Sequence, residues 1–163
     1  MSNDLLLALR RVLAISDYQF GKEITDILFD DIEKIRVIRS KNTNKIRYVY
    51  YHNNLMLTLR PTNGFFTLSL FSAKKIIEKT LPPKLRIIVL NGISEFIKEG
   101  RNVFCKHVVD IDNNLRAMDE IIVVNQNDEL LGIGRLKIPI IYVKSFKSGI
   151  AVNVRKGMNK SKL

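Results

Sequence analysis

The sequence predicts an α+β protein, in which a small N-terminal α/β domain with an antiparallel meander is followed by a domain built mainly of β-strands with one short helix. Three observations support this. Turn-separated runs of β-forming residues fill positions 32–70, Pro82-Pro83 interrupts the pattern, and hydrophobic alternation starts again beyond it. Consecutive prolines cannot donate to a sheet and stiffen a connection. We therefore predict domains at 1–81 and 84–157, with a flexible tail at 158–163.

The predicted N-terminal domain begins with helices. Leucines with i, i+3, i+7 spacing predict a helix over residues 4–15, which Asn3 or Asp4 caps and Ser16-Asp17 ends. One short helix, four strands and a helix capped by Ser72 are predicted to follow, over residues Glu23–Phe29, Ile32–Arg39, Lys45–Tyr51, Leu55–Arg60, Phe65–Leu70 and Ser72–Thr80.

The second domain is predicted to start with a strand over Lys84–Leu90 and a helix over Gly92–Glu99. Gly100 follows that helix, where a glycine in the left-handed conformation commonly ends a helix. Five further strands, with a hairpin turn at Asn127-Asp128, complete the prediction over Asn102–Asp110, Glu120–Asn125, Glu129–Lys137, Tyr142–Ser145 and Ile150–Arg155.

The charge balance favours a polyanionic partner. The 163 residues include 27 Lys and Arg against 16 Asp and Glu, a net charge of +11. Residues 1–83 contribute +5 and residues 84–163 contribute +6, so the positive field is not confined to one tail. Such a field attracts nucleic acid. A hydrophobic content of 46% is sufficient for a core and argues against disorder.

The sequence also predicts a cytoplasmic protein that has no membrane partner. Cys105 is the only cysteine, so no intrachain disulfide can form. No apolar run approaches the roughly 20 residues that cross a bilayer. The first residues, Met1-Ser2-Asn3-Asp4, lack the basic start of a secretory signal.

The order of elements in the C-terminal half resembles the PUA domain, with a strand, a short helix, a glycine-bounded loop and then strands with an internal hairpin. The stretches that carry the resemblance are Gly100–Asp110, Arg116–Asn125, Asp128–Arg135 and Phe146–Gly157. The resemblance implies that the second domain is a β pseudo-barrel with a short helix.

The N-terminal half narrows the resemblance. Asp17-Tyr18-Gln19-Phe20-Gly21 is similar to a segment that precedes the PUA domain in archaeal tRNA-guanine transglycosylases, and Arg39–Arg47 and Leu59–Leu68 are similar to the segments after it. In that family the chemistry lies on a separate (β/α)₈ barrel, which takes at least roughly 200 residues and does not fit in this chain. The resemblance implies an archaeal source and a tRNA-binding role, at the acceptor stem and 3′ end, in archaeosine formation.

In PUA domains the loop between the helix and the next strand commonly contacts RNA. The corresponding residues, and the basic residues that extend the surface, are predicted to bind RNA: Gly100, Arg101, Asn102, Val103, Phe104, Lys106, Arg116, Arg135, Lys137 and Lys147. The glycine lets backbone amides approach a phosphate, and arginine pairs with phosphate or stacks on a base. Alternatively, the glycine only ends the helix, and Phe104 belongs to the core.

Tyr48 and Tyr50 form a second candidate surface. They share one face of a predicted strand, and the run that also contains Tyr51 is flanked by Arg47 and His52, which resembles an aromatic-basic surface that binds nucleic acid. One face of this strand is expected to be core, and the same pattern also suits an edge that meets a partner subunit.

No catalytic residues, metal site or cofactor are predicted. Cys105 and His107 lie two residues apart, but one cysteine and two histidines cannot supply a four-ligand zinc site. Gly132-Ile133-Gly134 is too short for a dinucleotide fingerprint and does not precede a helix. The sequence therefore predicts a non-catalytic protein that binds tRNA or another structured RNA, as an accessory to a separate transglycosylase chain. The alternative is a ribosome-biogenesis or protein-docking factor with a PUA domain.

Overall fold

The computed structural model describes residues 2–159. The chain forms two compact units that divide between Lys79 and Thr80. No helix of the described chain has the length and hydrophobicity needed to span a membrane. Part of the predicted tail, residues 160–163, lies outside the described residues, and Met158 is half-buried.

The first unit contains three helices and a four-stranded antiparallel sheet in the order β1-β2-β3-β4. Its helices are α1 (Asn3–Phe20), α2 (Lys22–Leu28) and α3 (Leu70–Lys79). Its strands are β1 (Ile35–Arg39), β2 (Ile46–Tyr51), β3 (Asn54–Leu59) and β4 (Phe66–Leu68).

One face of this sheet is apolar and contributes to the core. Val37, Val49, Leu57 and Leu68 lie opposite one another across the four strands, and the last three are at most 3% exposed. The helices contact the same strands, α1 at β1 and β4 and α3 at β3. Because side chains alternate along a strand, the residues between these point to the other face.

The second unit is a curled six-stranded sheet in the order β6-β10-β9-β8-β5-β7. Its strands and helices are β5 (Arg86–Val89), α4 (Ser94–Lys98), β6 (Val103–Phe104), β7 (Val108–Ile111), β8 (Glu120–Asn125), β9 (Leu130–Leu136), α5 (Ile140–Ser145) and β10 (Ile150–Gly157). All neighbouring strands are antiparallel except β5 and β8.

The two edge strands of this sheet, β6 and β7, follow each other in the chain and are joined by one 3₁₀ turn, Cys105–His107. Three residues cannot span an open sheet, so the sheet curls until its edges nearly meet. The side chains inside form one core, which includes Ile87, Val103, Ile121 and Val152. The predicted α+β class, with an antiparallel N-terminal sheet and a C-terminal β pseudo-barrel, is confirmed.

Several local predictions were wrong. The first helix does not stop at Ser16 but continues to Phe20, and Gly21, with φ of 87°, separates it from α2. Ser69, not Ser72, occupies the N-cap position of α3, because its hydroxyl accepts a hydrogen bond from the Ser72 amide at 3.0 Å. The Ser72 hydroxyl accepts one from the Ser69 amide at 2.9 Å, which completes a reciprocal cap.

Two predicted strands of the second unit also differ. Asn102–Asp110 is two short strands with the 3₁₀ turn between them, and Tyr142–Ser145 belongs to helix α5. Pro139 precedes that helix, and its carbonyl accepts the amides of Tyr142 and Val143. Proline is favoured at helix starts because its fixed φ suits the first turn and its missing N–H costs no bond there.

Candidate nucleic-acid interface

The loop after α4 is held by a Schellman motif. Gly100, with φ of 93°, donates its amide to the Ile97 carbonyl at 2.8 Å, and Arg101 donates its amide to the Phe96 carbonyl at 3.1 Å. This is the 5→2 and 6→1 pair that ends helices. Both amides are therefore used inside the protein, and the prediction that they are free to bind phosphate was wrong.

The side chains that follow alternate between surface and core. Arg101 is exposed, and its guanidinium lies 5.6 Å from the centroid of the Phe96 ring. Asn102 is half-buried, and its Oδ1 accepts the Val154 amide at 2.9 Å. Val103 is fully buried in the barrel core. Its predicted contact with RNA was therefore wrong, because its side chain cannot be reached from solvent.

Phe104 and Lys106 both point outward. Phe104 is 44% exposed, which is unusual for a phenylalanine and excludes the alternative that it belongs to the core. Lys106 is exposed, whereas Cys105 between them is 4% exposed. Burial raises the pKa of the Cys105 thiol, so this cysteine stays protonated and is a poor nucleophile.

A second segment lies beside this turn. Phe104 pairs with Ile150 across β6 and β10, and the Cys105 amide donates to the Gly149 carbonyl at 2.9 Å. These contacts bring the loop that carries Phe146 and Lys147 next to the 3₁₀ turn. Phe146 is 49% exposed and Lys147 is exposed. We call Phe104, Lys106, Phe146 and Lys147 the aromatic-basic rim.

A pocket of about 290 Å³ opens beside the aromatic-basic rim. It is lined by Cys105, Val108, Val109, Asp110, Ile111, Val143, Lys144 and Phe146. Six of the eight lining residues are apolar, but the surface that faces the pocket is mainly polar, and Asp110 and Lys144 supply one carboxylate and one ammonium group, so the pocket suits a ligand with several polar groups. The Lys144 ammonium is held by the Asn113 side chain, from Nζ to Oδ1 at 2.6 Å.

Two more of the predicted basic residues lie at one end of the barrel. The Lys137 amide donates to the Ala151 carbonyl at 2.8 Å, which places Lys137 beside the start of β10. The loop that holds Arg116 is tied to the same end of β9, because Met118 donates its amide to the Leu136 carbonyl at 2.7 Å. Both Arg116 and Lys137 are exposed.

Arg135 lies in a different environment. It is half-buried and faces Glu120 across β8 and β9. Glu120 is 2% exposed and forms a bidentate pair with Arg155, at 2.7 and 3.1 Å. Arg135 therefore lies beside an ion pair that two other side chains already form, and its contact with RNA stays a prediction.

Phe146, Val109 and the pocket were not predicted from the sequence as parts of a site. Phe146 and the pocket wall at Val143 and Lys144 depend on helix α5, of which Tyr142–Ser145 was predicted as a strand because Tyr142 and Val143 are β-forming residues. Pro139 was the available signal for a helix start. Among residues 2–159, no three His, Cys, Asp or Glu side chains are grouped so that they could hold a metal ion.

Two domain families match the chain. Residues 10–83 match the patch-forming domain C2 of tRNA-guanine transglycosylase, and residues 85–158 match the PUA domain. A tRNA-guanine(15) transglycosylase from Methanobrevibacter smithii is 39% identical over 152 residues, which are 93% of this chain and 23% of that protein. The corresponding protein from Methanocaldococcus jannaschii is 38% identical over 154 residues, again 93% and 23%. The chain thus spans about a quarter of the length of these curated relatives.

Solved structures with low sequence identity share the fold. A hypothetical protein from Pyrococcus horikoshii has a TM-score of 0.74 at 19% identity, covering 93% of this chain and 90% of its own. A PUA domain structure from Aeropyrum pernix has a TM-score of 0.69 at 12% identity, covering 99% and 85%.

Proposed function

Because the chain is a PUA-domain protein that belongs with the C-terminal region of archaeal tRNA-guanine transglycosylases, we propose that it binds tRNA at the acceptor stem and 3′ end without performing chemistry itself. The relatives are tRNA-modifying enzymes, and the PUA fold suggests RNA binding. In this proposal a separate transglycosylase chain carries out the base exchange that leads to archaeosine.

The observation that supports this proposal best is the aromatic-basic rim beside the pocket. Phe104 and Phe146 are about half exposed although both are aromatic, and Lys106 and Lys147 flank them. Among the described residues, no carboxylate forms an ion pair with either lysine. Exposed aromatic rings beside unpaired lysines suit the end of a nucleic acid, because the lysines can bind its phosphates and the rings can stack on its bases.

The proposed binding mode has two steps. The cationic surface first attracts the acceptor stem, which accounts for most of the affinity and little of the selectivity. Phe104 then stacks on a base at the end of the stem, and an unpaired 3′ nucleotide enters the pocket. The Asp110 carboxylate at the pocket edge can accept a hydrogen bond from an exocyclic amino group, which favours adenine or cytosine over uracil.

Replacement of Phe104 and Lys106 tests the proposed site. Phe104→Ala should weaken binding of a full tRNA about tenfold, because stacking on an aromatic ring contributes about 1–3 kcal/mol per base. Lys106→Ala should weaken it by a few-fold through one lost phosphate contact. The matched controls are Phe65→Ala, an exposed phenylalanine of the first unit, and Lys156→Ala, an exposed lysine away from the aromatic-basic rim.

A second substrate separates stem recognition from end recognition. Wild-type protein should bind an intact tRNA more tightly than a tRNA from which the single-stranded 3′ nucleotides have been removed. Phe104→Ala should reduce that difference in affinity. Equal affinity for both RNAs would move the site away from the pocket. Arg101 was also predicted to bind RNA, so Arg101→Ala should weaken tRNA binding without unfolding the protein, and unchanged affinity would show that the loop at Arg101, where the guanidinium lies over Phe96, is not part of the site.

A further inference from the structure

The outer face of the first unit's sheet carries two tyrosines that the helical core does not use. Tyr48 lies opposite Ile38 and Thr58, and Tyr50 lies opposite Arg36. Because β2 alternates, these tyrosines point away from the face on which Val49 is buried. Both are half-buried, and their positions i and i+2 place the two rings about 7 Å apart along the strand.

An arginine side chain lies against each of the two tyrosine rings. The Arg36 guanidinium lies 5.1 Å from the centroid of the Tyr50 ring, and the Arg47 guanidinium lies 5.8 Å from that of Tyr48. In the part of the chain that the structure describes, neither arginine has a carboxylate partner within ion-pair distance. Each ring therefore has over it a guanidinium that no carboxylate of the described residues pairs with.

The charge of the whole sheet has one sign. Between Ile35 and Leu68 the sequence contains six basic residues and no Asp or Glu. One of the six, Arg39, forms an ion pair with Asp4 at 3.1 Å. A surface that docks a second protein usually alternates both signs or carries a dry apolar centre, and this one has neither.

The neighbouring strands leave room next to the tyrosines. Thr58 on β3 and Thr67 on β4 face each other in register and continue the row that begins with Ile38 and Tyr48. These short side chains project less far from the sheet than the tyrosine rings do. Their hydroxyl groups supply donors and acceptors at the level where the edge of a stacked base would lie.

From this arrangement we propose that the outer face of the β1–β4 sheet is a second RNA-binding site, which takes two consecutive unpaired nucleotides by stacking their bases on Tyr48 and Tyr50. Arg36 and Arg47 bind the phosphates on either side. The site lies on a different unit from the aromatic-basic rim. It rests on the proposed RNA-binding function, but it requires single-stranded RNA and not the acceptor stem.

Photo-crosslinking in a protein whose aromatic-basic rim has been disabled tests this inference. The full chain carrying Phe104→Ala and Lys106→Ala is mixed with a 12-nucleotide single-stranded RNA that contains 4-thiouridine, irradiated, digested and analysed by mass spectrometry. Crosslinks are expected on the peptide that contains Tyr48 and Tyr50. The proposal would be overturned if crosslinks were found only on other peptides. It would also be overturned if the single-stranded RNA gave no more crosslinks than a duplex of the same sequence.

Affinity measurements with the same RNA identify the role of the rings. Tyr48→Ala and Tyr50→Ala should each weaken binding about tenfold, whereas Tyr48→Phe and Tyr50→Phe should bind like the parent because the ring is kept. Tyr18→Ala is the matched control, since Tyr18 is 81% exposed on α1 of the same unit. Circular dichroism confirms that each variant is folded, and equal losses for Ala and Phe variants would contradict stacking.

The two proposals can fail separately. If tRNA binding depends on Phe104 but the oligonucleotide does not depend on Tyr48 and Tyr50, only the second site is wrong. If the oligonucleotide depends on the tyrosines and tRNA does not depend on Phe104, only the aromatic-basic rim is wrong. A concentration-dependent dimer that the Tyr→Ala variants abolish, with no RNA effect, would show that the tyrosine face is a subunit interface and would overturn the inference.

Discussion

At the scale of single residues, the structure explains the two glycines of β9. Gly132-Ile133-Gly134 lies in the strand that pairs with β10. A Cβ on Gly134 would lie 2.1 Å from the Asn153 carbonyl oxygen, and one on Gly132 would lie 2.8 Å from that of Lys156. These glycines therefore permit close backbone approach between two strands, and they are not a phosphate-binding element.

Replacement of one of these glycines should destabilise the barrel. Gly134→Ala should lower the free energy of unfolding by about 3 kcal/mol, because the added methyl meets backbone atoms that cannot move independently. Urea unfolding followed by circular dichroism measures the loss. Gly92→Ala is the control, since a Cβ there meets nothing within 4 Å. Equal stability of the two variants would contradict the close approach of β9 and β10.

At the scale of elements, the bulge in β10 explains the buried ion pair. The register between β9 and β10 shifts between Val154 and Lys156, which leaves Arg155 as the extra residue. Its side chain reaches Glu120 and neutralises a carboxylate that is 2% exposed. Arg155 is thus occupied in the fold, which leaves it little capacity to bind RNA.

Removal of this arginine should affect stability more than binding. Arg155→Ala should lower the free energy of unfolding by about 1–2 kcal/mol, because Glu120 loses its partner; the value is reduced from that of a fully buried pair since 36% of the Arg155 side chain is exposed. Thermal unfolding at pH 7 measures it. Lys156→Ala, at the exposed neighbouring position, should be neutral, and similar effects of both variants would argue against the pair.

The element scale also shows where prediction from the sequence succeeded and failed. The four strands of the meander and the Gly100 helix end were predicted, because turn residues and alternation are local signals. Helix α5 was missed, and its residues Tyr142–Ser145 were predicted as a strand, since Tyr142 and Val143 favour strands in isolation. Tertiary packing overrides that preference, because Val143 is 2% exposed and belongs to the barrel core.

At the scale of the whole molecule, the excess of positive charge determines how binding should respond to salt. The net charge is +11, and within residues 2–159 both units carry basic residues without a carboxylate in ion-pair contact, such as Arg47 in the first unit and Lys106 in the second. Neutralisation of RNA phosphates by lysine and arginine releases counterions, so affinity falls as salt rises. The proposed tRNA contact therefore predicts a steep salt dependence.

The dependence can be estimated from the number of contacts. Three to five phosphate contacts should reduce the tRNA association constant by roughly 40- to 500-fold between 50 and 200 mM monovalent salt. A filter-binding titration at four salt concentrations gives the slope, and the Lys106→Ala variant should show a shallower one. A flat response in the wild type would exclude electrostatic capture as the main source of affinity.

The sequence by itself determined the α+β class, the order of most strands, the family resemblance and the basic character of both halves, because periodicity, turn chemistry and charge are local or additive properties. Only the tertiary structure decided that Val103 is buried while Phe104 is exposed, and that Phe146, 42 positions later, lies beside the same pocket. The reason is that exposure and proximity depend on how the six-stranded sheet curls. That curvature results from long-range strand pairing, and no local segment of the sequence encodes it.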